Sequence, residues 1–302
     1  MPTVELAQGR IHYRAAGPAA GSQPAVVFLH GLLVNGELWT GVGDVLATLG
    51  VRSYAPDLPL GSHPIPLSPD ADLSPRGVAR LIIAFLEALE LDDVTLVGND
   101  TGGALCQFLI DADPSRVGRL VLTNCDAFDE FPPAPFGLLV KAGSRPGRLR
   151  AMMSMMRPTR ARHSVLGYGP LVRTRLDPAL TRRWITPAIT DAGIRRDAAR
   201  FMGAIRSAEL LEVSNRLDRF TKPVLLLWGS ADRFFKIAFA HRLRAVFPDA
   251  RVVEVAGGRT FLPLDDPDRV AFEIHKFAAE GRQSSGIKSS PSAATQGAAG
   301  AN

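Results

Sequence analysis

Apolar residues along this chain come in short unbroken runs separated by amphipathic stretches. Ala25-Val26-Val27-Phe28-Leu29 and Val224-Leu225-Leu226-Leu227-Trp228 contain no polar position, the pattern of strands covered on both faces. Residues 51–55, 93–97, 119–123 and 251–255 predict further strands, and 37–49, 102–112, 237–247 and 267–279 predict helices. Another helix starts at Ser74, with Pro75 in its first position and Val78, Leu81, Ile82, Phe85 and Leu89 at helical spacing. Strands alternating with helices predict an α/β fold with a mostly parallel central sheet flanked by helices. At the N-terminus, residues 4–6 and 10–14 alternate around Ala7-Gln8-Gly9, which predicts an antiparallel hairpin at the sheet edge.

The rhythm breaks after Asp126. Residues 128–220 read as helices and loops rich in Pro, Arg and Met, and a strandless connection of that length is a domain-sized insertion rather than a loop. The expected organisation is a core domain from residues 1–127 and 221–281, a helical cap at 128–220, and a disordered Ser, Ala and Gly tail at 282–302. Met152, Met153, Met155 and Met156 cluster in the insertion and would either pack it or line a pliable apolar pocket.

Charge adds one feature to this picture. The net charge is +5, but residues 128–220 hold 17 Lys and Arg against 8 Asp and Glu. Basic excess invites a nucleic-acid reading, yet no aromatic interleaving or binding motif accompanies it, so no nucleic-acid partner is expected. No apolar stretch is long enough to cross a bilayer, and no membrane partner is expected on that ground. No secretory signal is visible at Met1-Pro2-Thr3-Val4-Glu5, and the two cysteines, Cys106 and Cys125, suggest neither a disulfide framework nor a metal site. The expected setting is the cytoplasm. No ligand cluster or phosphate-binding fingerprint implies a metal or cofactor, the expected partner is a small-molecule substrate, and nothing in the pattern specifies an oligomeric state.

The chemistry centres on Val97-Gly98-Asn99-Asp100-Thr101-Gly102-Gly103, where a strand turns into a helix with glycines on both sides of one reactive side chain. This is the pattern of a nucleophile elbow with Asp100 at its apex. Together with the His30-Gly31-Leu32-Leu33 turn, it resembles the α/β-hydrolase superfamily, in the branch of haloalkane dehalogenases and epoxide hydrolases, whose nucleophile is aspartate. The resemblance implies an α/β-hydrolase fold with an inserted helical cap. It also implies an oxyanion hole from the backbone N–H groups of Leu32 and Thr101, with His30 and Asn99 as support, and a catalytic acid at Asp232, with Asp126 at the alternate acid position.

The sequence departs from that family at one decisive place. The resembling enzymes carry the water-activating histidine in a Gly-His-Phe type of turn after the last strand, where this chain has Gly258-Arg259-Thr260-Phe261. Thr260, or Arg259 if the turn shifts by one, stands at that position, and neither is a base near neutral pH. His163 in the insertion is a candidate replacement. Thr101 and Leu32 offer poor halide stabilisation where relatives use an aromatic donor, and Tyr168 is the only tyrosine in the insertion where epoxide hydrolases use two. Three functions stay open: a hydrolase acting on an epoxide or ester through Asp100, a lyase, isomerase or cyclase using Asp100 as acid or base, and a ligand-binding protein without turnover.

Overall fold

The computed structural model describes residues 2–19 and 23–286, with side chains through residue 280. Its eight described strands form one sheet in the order β1-β2-β4-β3-β5-β6-β7-β8. They are β1 (Thr3–Leu6), β2 (Gly9–Ala16), β3 (Val26–Leu29), β4 (Ser53–Pro56), β5 (Val94–Asp100), β6 (Val117–Cys125), β7 (Val224–Gly229) and β8 (Ala250–Val255). The β1–β2 pair is antiparallel, as the N-terminal alternation predicts, and β2–β4 is antiparallel as well. All other pairs are parallel, including β3–β5 and β5–β6 at the centre. Strands β3 and β7 are buried throughout their length, which is why their apolar runs lack alternation.

Helices α1 (Thr40–Thr48), α2 (Pro75–Ala88) and α3 (Thr101–Ala112) connect the first half of the sheet. Ser74 caps α2 by accepting from the Gly77 N–H, and Pro75 follows in the first turn. Between β6 and β7 the chain runs through α4 (Phe136–Gly143), α5 (Pro146–Met155), α6 (Thr159–Arg162), α7 (Pro178–Thr190), α8 (Ala192–Ala204) and α9 (Ser207–Ser214). Then come α10 (Ile237–Val246), α11 (Leu262–Asp265) and α12 (Pro267–Gly286). The last helix continues past residue 281, so 282–286 are helical rather than tail; the rest of the expected tail lies outside the described residues. Met153 is buried, Met152 and Met156 pack half-buried against the core, and Met155 is exposed, so the methionine cluster divides between packing and surface.

Specific polar contacts seat the insertion on the sheet domain. The buried Trp184 indole donates to Asn35 Oδ1 at 3.0 Å, and the Ser62 hydroxyl donates to the Trp184 carbonyl at 2.7 Å. His63 faces the buried Asp197 carboxylate at 3.3 Å, which also accepts from the Leu67 N–H at 2.7 Å. Asp265 accepts from the backbone N–H groups of Arg173 at 2.6 Å and Thr174 at 3.0 Å on one oxygen and from that of Arg259 at 2.9 Å on the other. That carboxylate therefore holds the turn after β8 against the end of the insertion's first half.

Candidate active site

His30, Asp100, Asp126, Asp232 and Thr260 follow or end β3, β5, β6, β7 and β8 in turn, so all five stand at the carboxyl end of the parallel sheet. In an open α/β sheet that edge is where loops from neighbouring strands converge on a ligand. Asp100 is the last residue of β5 and the residue before α3, at φ 54° and ψ −131°. A side chain with a Cβ costs about 1–3 kcal/mol in such a region, and surrounding structure must hold it there. The glycines explain how the turn closes: a Cβ on Gly102 would overlap the Leu29 carbonyl oxygen, and one on Gly31 would overlap Asp100 Oδ2.

The backbone N–H groups of Leu32 and Thr101 lie close enough to the Asp100 carboxyl to favour its charged form. Burial nevertheless raises its pKa to about 7, because loss of water outweighs those two donors, and the nearby Asp232 charge pushes the same way. Asp100 is half-buried, unlike Asp126 and Asp232, which are buried.

Asp232 is held more firmly. Its Oδ1 accepts from the N–H groups of Phe234 at 2.8 Å and Phe235 at 3.1 Å, and its Oδ2 accepts from Asn124 Nδ2 at 2.9 Å. Burial still shifts its pKa upward. The Thr260 hydroxyl lies close enough to favour the charged form of Asp232, but makes no well-formed hydrogen bond. Arg259 turns the other way, donating from Nη1 to the Val172 carbonyl at 2.8 Å. The structure thus brings Thr260, and not Arg259, to Asp232. Asn99 ties that turn to the elbow by donating to the Thr260 carbonyl at 2.6 Å and to Thr123 Oγ1 at 2.9 Å.

Asp126 is 1% exposed, and neither of its carboxyl oxygens has a well-formed hydrogen bond. Desolvation and the neighbouring Asp100 charge push its pKa well above the carboxylate range, eased slightly by the Thr101 hydroxyl. Among the described residues, no group of three or more His, Cys, Asp or Glu side chains is arranged to hold a metal ion.

His30 is structural in its geometry. Its Nε2 accepts the Leu58 N–H at 2.8 Å, which leaves Nδ1–H to donate to the Gly31 carbonyl at 2.9 Å, and burial depresses its pKa to about 4. A neutral ring therefore braces the Gly31-Leu32 turn. Two side chains of the insertion, His163 and Tyr168, are engaged by the protein's own framework. His163 Nε2 sits 2.9 Å from Thr181 Oγ1, beside the buried Arg162 that also binds this hydroxyl, so His163 belongs to the insertion's own framework. The Tyr168 hydroxyl donates to the Leu33 carbonyl at 2.7 Å, and its ring packs on Trp184 and Phe261 with centroids 5.3 Å and 6.3 Å away. Its proton is committed to the backbone. Tyr168→Phe is accordingly expected to change turnover less than fivefold while lowering thermal stability by about 1 kcal/mol; a loss above a hundredfold in steady-state rate would assign it a proton-donor role.

The chain matches the α/β hydrolase fold family over residues 24–267. The chain belongs to that family. Its branch is the one that holds haloalkane dehalogenases and epoxide hydrolases. Haloalkane dehalogenase 2 of Mycobacterium tuberculosis is 30% identical over 288 residues, covering 89% of this chain and 92% of the relative. The 2-hydroxy-6-oxo-6-phenylhexa-2,4-dienoate hydrolase of Burkholderia cepacia is 27% identical over 263 residues, covering 82% and 83%. A solved epoxide hydrolase without ligand superimposes with a TM-score of 0.73 at 20% identity, covering 92% of this chain and 98% of that one. In this α/β-hydrolase the His30-braced turn, the elbow and Asp232 stand at the carboxyl ends of β3, β5 and β7.

Asn124 escaped the sequence reading. It donates to Asp232, and its Oδ1 accepts the Gly229 N–H at 2.7 Å. Asparagine directly after a predicted strand was the available signal. Asn124→Ala is expected to destabilise the protein by about 1–3 kcal/mol and to lower turnover roughly 10- to 100-fold by freeing Asp232; Asn124→Leu, which has similar bulk but cannot donate, should not restore activity. Thermal melts and steady-state kinetics read both effects.

Proposed function

We propose that this α/β-hydrolase opens a small epoxide or ester-type substrate through Asp100 as nucleophile. The observation that carries this reading is a carboxylate, rather than a hydroxyl, at the apex of the strained turn, with the Leu32 and Thr101 backbone N–H groups nearby. On an epoxide, an Asp100 oxygen attacks carbon, the ring C–O bond breaks, and the alkoxide takes up a proton. Asp126 is the donor: a buried carboxyl without partners keeps its proton, and Tyr168 is engaged elsewhere.

Hydrolysis of the resulting ester needs water at the Asp100 carboxyl carbon. The proposed base is Asp232 acting on that water directly, past Thr260, since threonine cannot take the proton. The Leu32 and Thr101 N–H groups stabilise the tetrahedral oxyanion. Collapse breaks the ester C–O bond, the departing alkoxide takes the proton held by Asp232, and the diol leaves; the Asp100 carboxylic acid, which retains one oxygen from water, returns its proton to Asp126. The helical insertion serves as the cap that encloses the substrate.

A second reading rests on the Asp100 pKa of about 7. A group that titrates at working pH suits acid–base catalysis, so a lyase or isomerase acting through proton transfer at Asp100 is the alternative. Product analysis with a panel of epoxides and esters separates the two. Diol or acid product from the wild type, lost in Asp100→Asn, supports hydrolysis. Isomerised product, or deuterium exchange at a substrate C–H without hydrolysis, supports the alternative.

A further inference from the structure

Residues 131–176 hold nine Lys and Arg and no Asp or Glu. One, Arg162, is buried and satisfied mainly by carbonyl and threonine oxygens. The other eight, Lys141, Arg145, Arg148, Arg150, Arg157, Arg160, Arg173 and Arg175, are exposed, and none forms an ion pair among the described residues. Elsewhere in the insertion the basic side chains do find carboxylates, as in Arg183 with Glu37 and Arg216 with Asp111.

The same segment carries five of the eight large apolar side chains that the described surface exposes: Leu138, Leu139, Met155, Val165 and Leu166. Leu166 is 90% and Val165 82% exposed, so these tips reach fully into solvent. On α4, Leu138 and Lys141 stand three residues apart on the solvent side; on α5, Arg148, Ala151 and Met155 do the same at helical spacing. Helices α4 and α5 pack on each other, and the Phe136 ring at the start of α4 lies tilted against Phe234, with centroids 4.7 Å apart, beside the Asp232 loop.

We propose that this half of the insertion is a peripheral docking surface for an anionic lipid membrane. Unpaired cations supply attraction to acidic headgroups, and aliphatic tips between them enter the acyl boundary. Nucleic acid fits less well, because the exposed apolar groups here are aliphatic and offer no base-stacking face. No described helix is long and apolar enough to cross a membrane, and surface docking needs none. The proposal is independent of the chemistry at Asp100.

The test is co-sedimentation of the full chain with vesicles of phosphatidylcholine alone or with one third phosphatidylglycerol. Binding is expected to the mixed vesicles only, falling at least tenfold when salt is raised from 50 to 500 mM. Arg148→Glu with Arg157→Glu should reduce it at least tenfold, and Leu138→Ser with Leu166→Ser at least threefold; all four sites are exposed, and unchanged melting curves confirm the folds. No binding to the mixed vesicles at low salt overturns the proposal. So does binding unaffected by either double variant, or binding lost only with the charge reversal and fully competed by duplex DNA.

Discussion

Asp100→Asn is expected to lower turnover at least a thousandfold and, at pH 8, to raise the melting temperature by several degrees. The rate loss follows from removing the only atom proposed to attack substrate, which is worth about 4 kcal/mol or more in the barrier. The stability gain follows from linkage. Asp100 has a folded pKa of about 7 against an unfolded value near 4, so the native state keeps a proton that the unfolded chain releases between those limits. Below pH 4 the group costs nothing; the cost grows as pH rises through the window and is complete above 7, on the order of 2–4 kcal/mol. Asparagine keeps an oxygen facing the same two N–H groups without a charge to desolvate. The two proteins should therefore melt together near pH 4 and diverge as pH rises. The same titration predicts that wild-type activity climbs through about pH 7 as the carboxylate forms. A variant less stable than wild type at pH 8 would contradict the electrostatic account of the site.

Gly31→Ala is expected to cost at least a hundredfold in kcat/KM and about 1–3 kcal/mol in stability. The added methyl would overlap Asp100 Oδ2 and lie 2.6 Å from its Cβ and Cγ. Either the carboxyl rotates off the Leu32 and Thr101 donors or the His30-braced turn moves, and both remove the alignment that hydrolysis requires. Kinetics with a melting curve at one pH separates the two losses. Near-wild-type activity in this variant would mean that the packing of Gly31 on Asp100 plays no part in the reaction.

Much of the architecture could be read along the chain because burial on both faces writes itself as unbroken apolar runs. Residues 25–29 and 224–228 fall on β3 and β7, and the loss of rhythm after Asp126 marks where six helices enter between β6 and β7. The elbow was equally legible, since a reactive residue between glycines has few other uses. Relationships across strands were not. Asn124 reaches Asp232 only because β6 and β7 are neighbours in register. The choice between Arg259 and Thr260 was decided by Asp265 and Val172, which fix the turn from outside it. His163 and Tyr168 had free polar atoms on paper; in three dimensions Thr181 and the Leu33 carbonyl occupy them.

Position 260 bears most directly on mechanism. Threonine leaves Asp232, Asp126 and Asp100 as three carboxyl groups sharing one buried region, with desolvation raising the pKa of each. The proposal divides their work by environment: the partnerless Asp126 holds a proton, the well-bonded Asp232 takes one, and Asp100 between them attacks.

Intact-protein mass spectrometry after incubation with a panel of epoxides tests the central claim, nucleophilic attack by Asp100, most directly. Ring opening by a carboxylate expels no leaving group, so the account predicts an added mass equal to the whole epoxide, mapped by peptide analysis to Asp100 and absent from Asp100→Asn. Rapid quenching during turnover above pH 7, where Asp100 is ionised, should capture that adduct. Diol formation that persists undiminished in Asp100→Asn, or an adduct mapped to another residue, would contradict it.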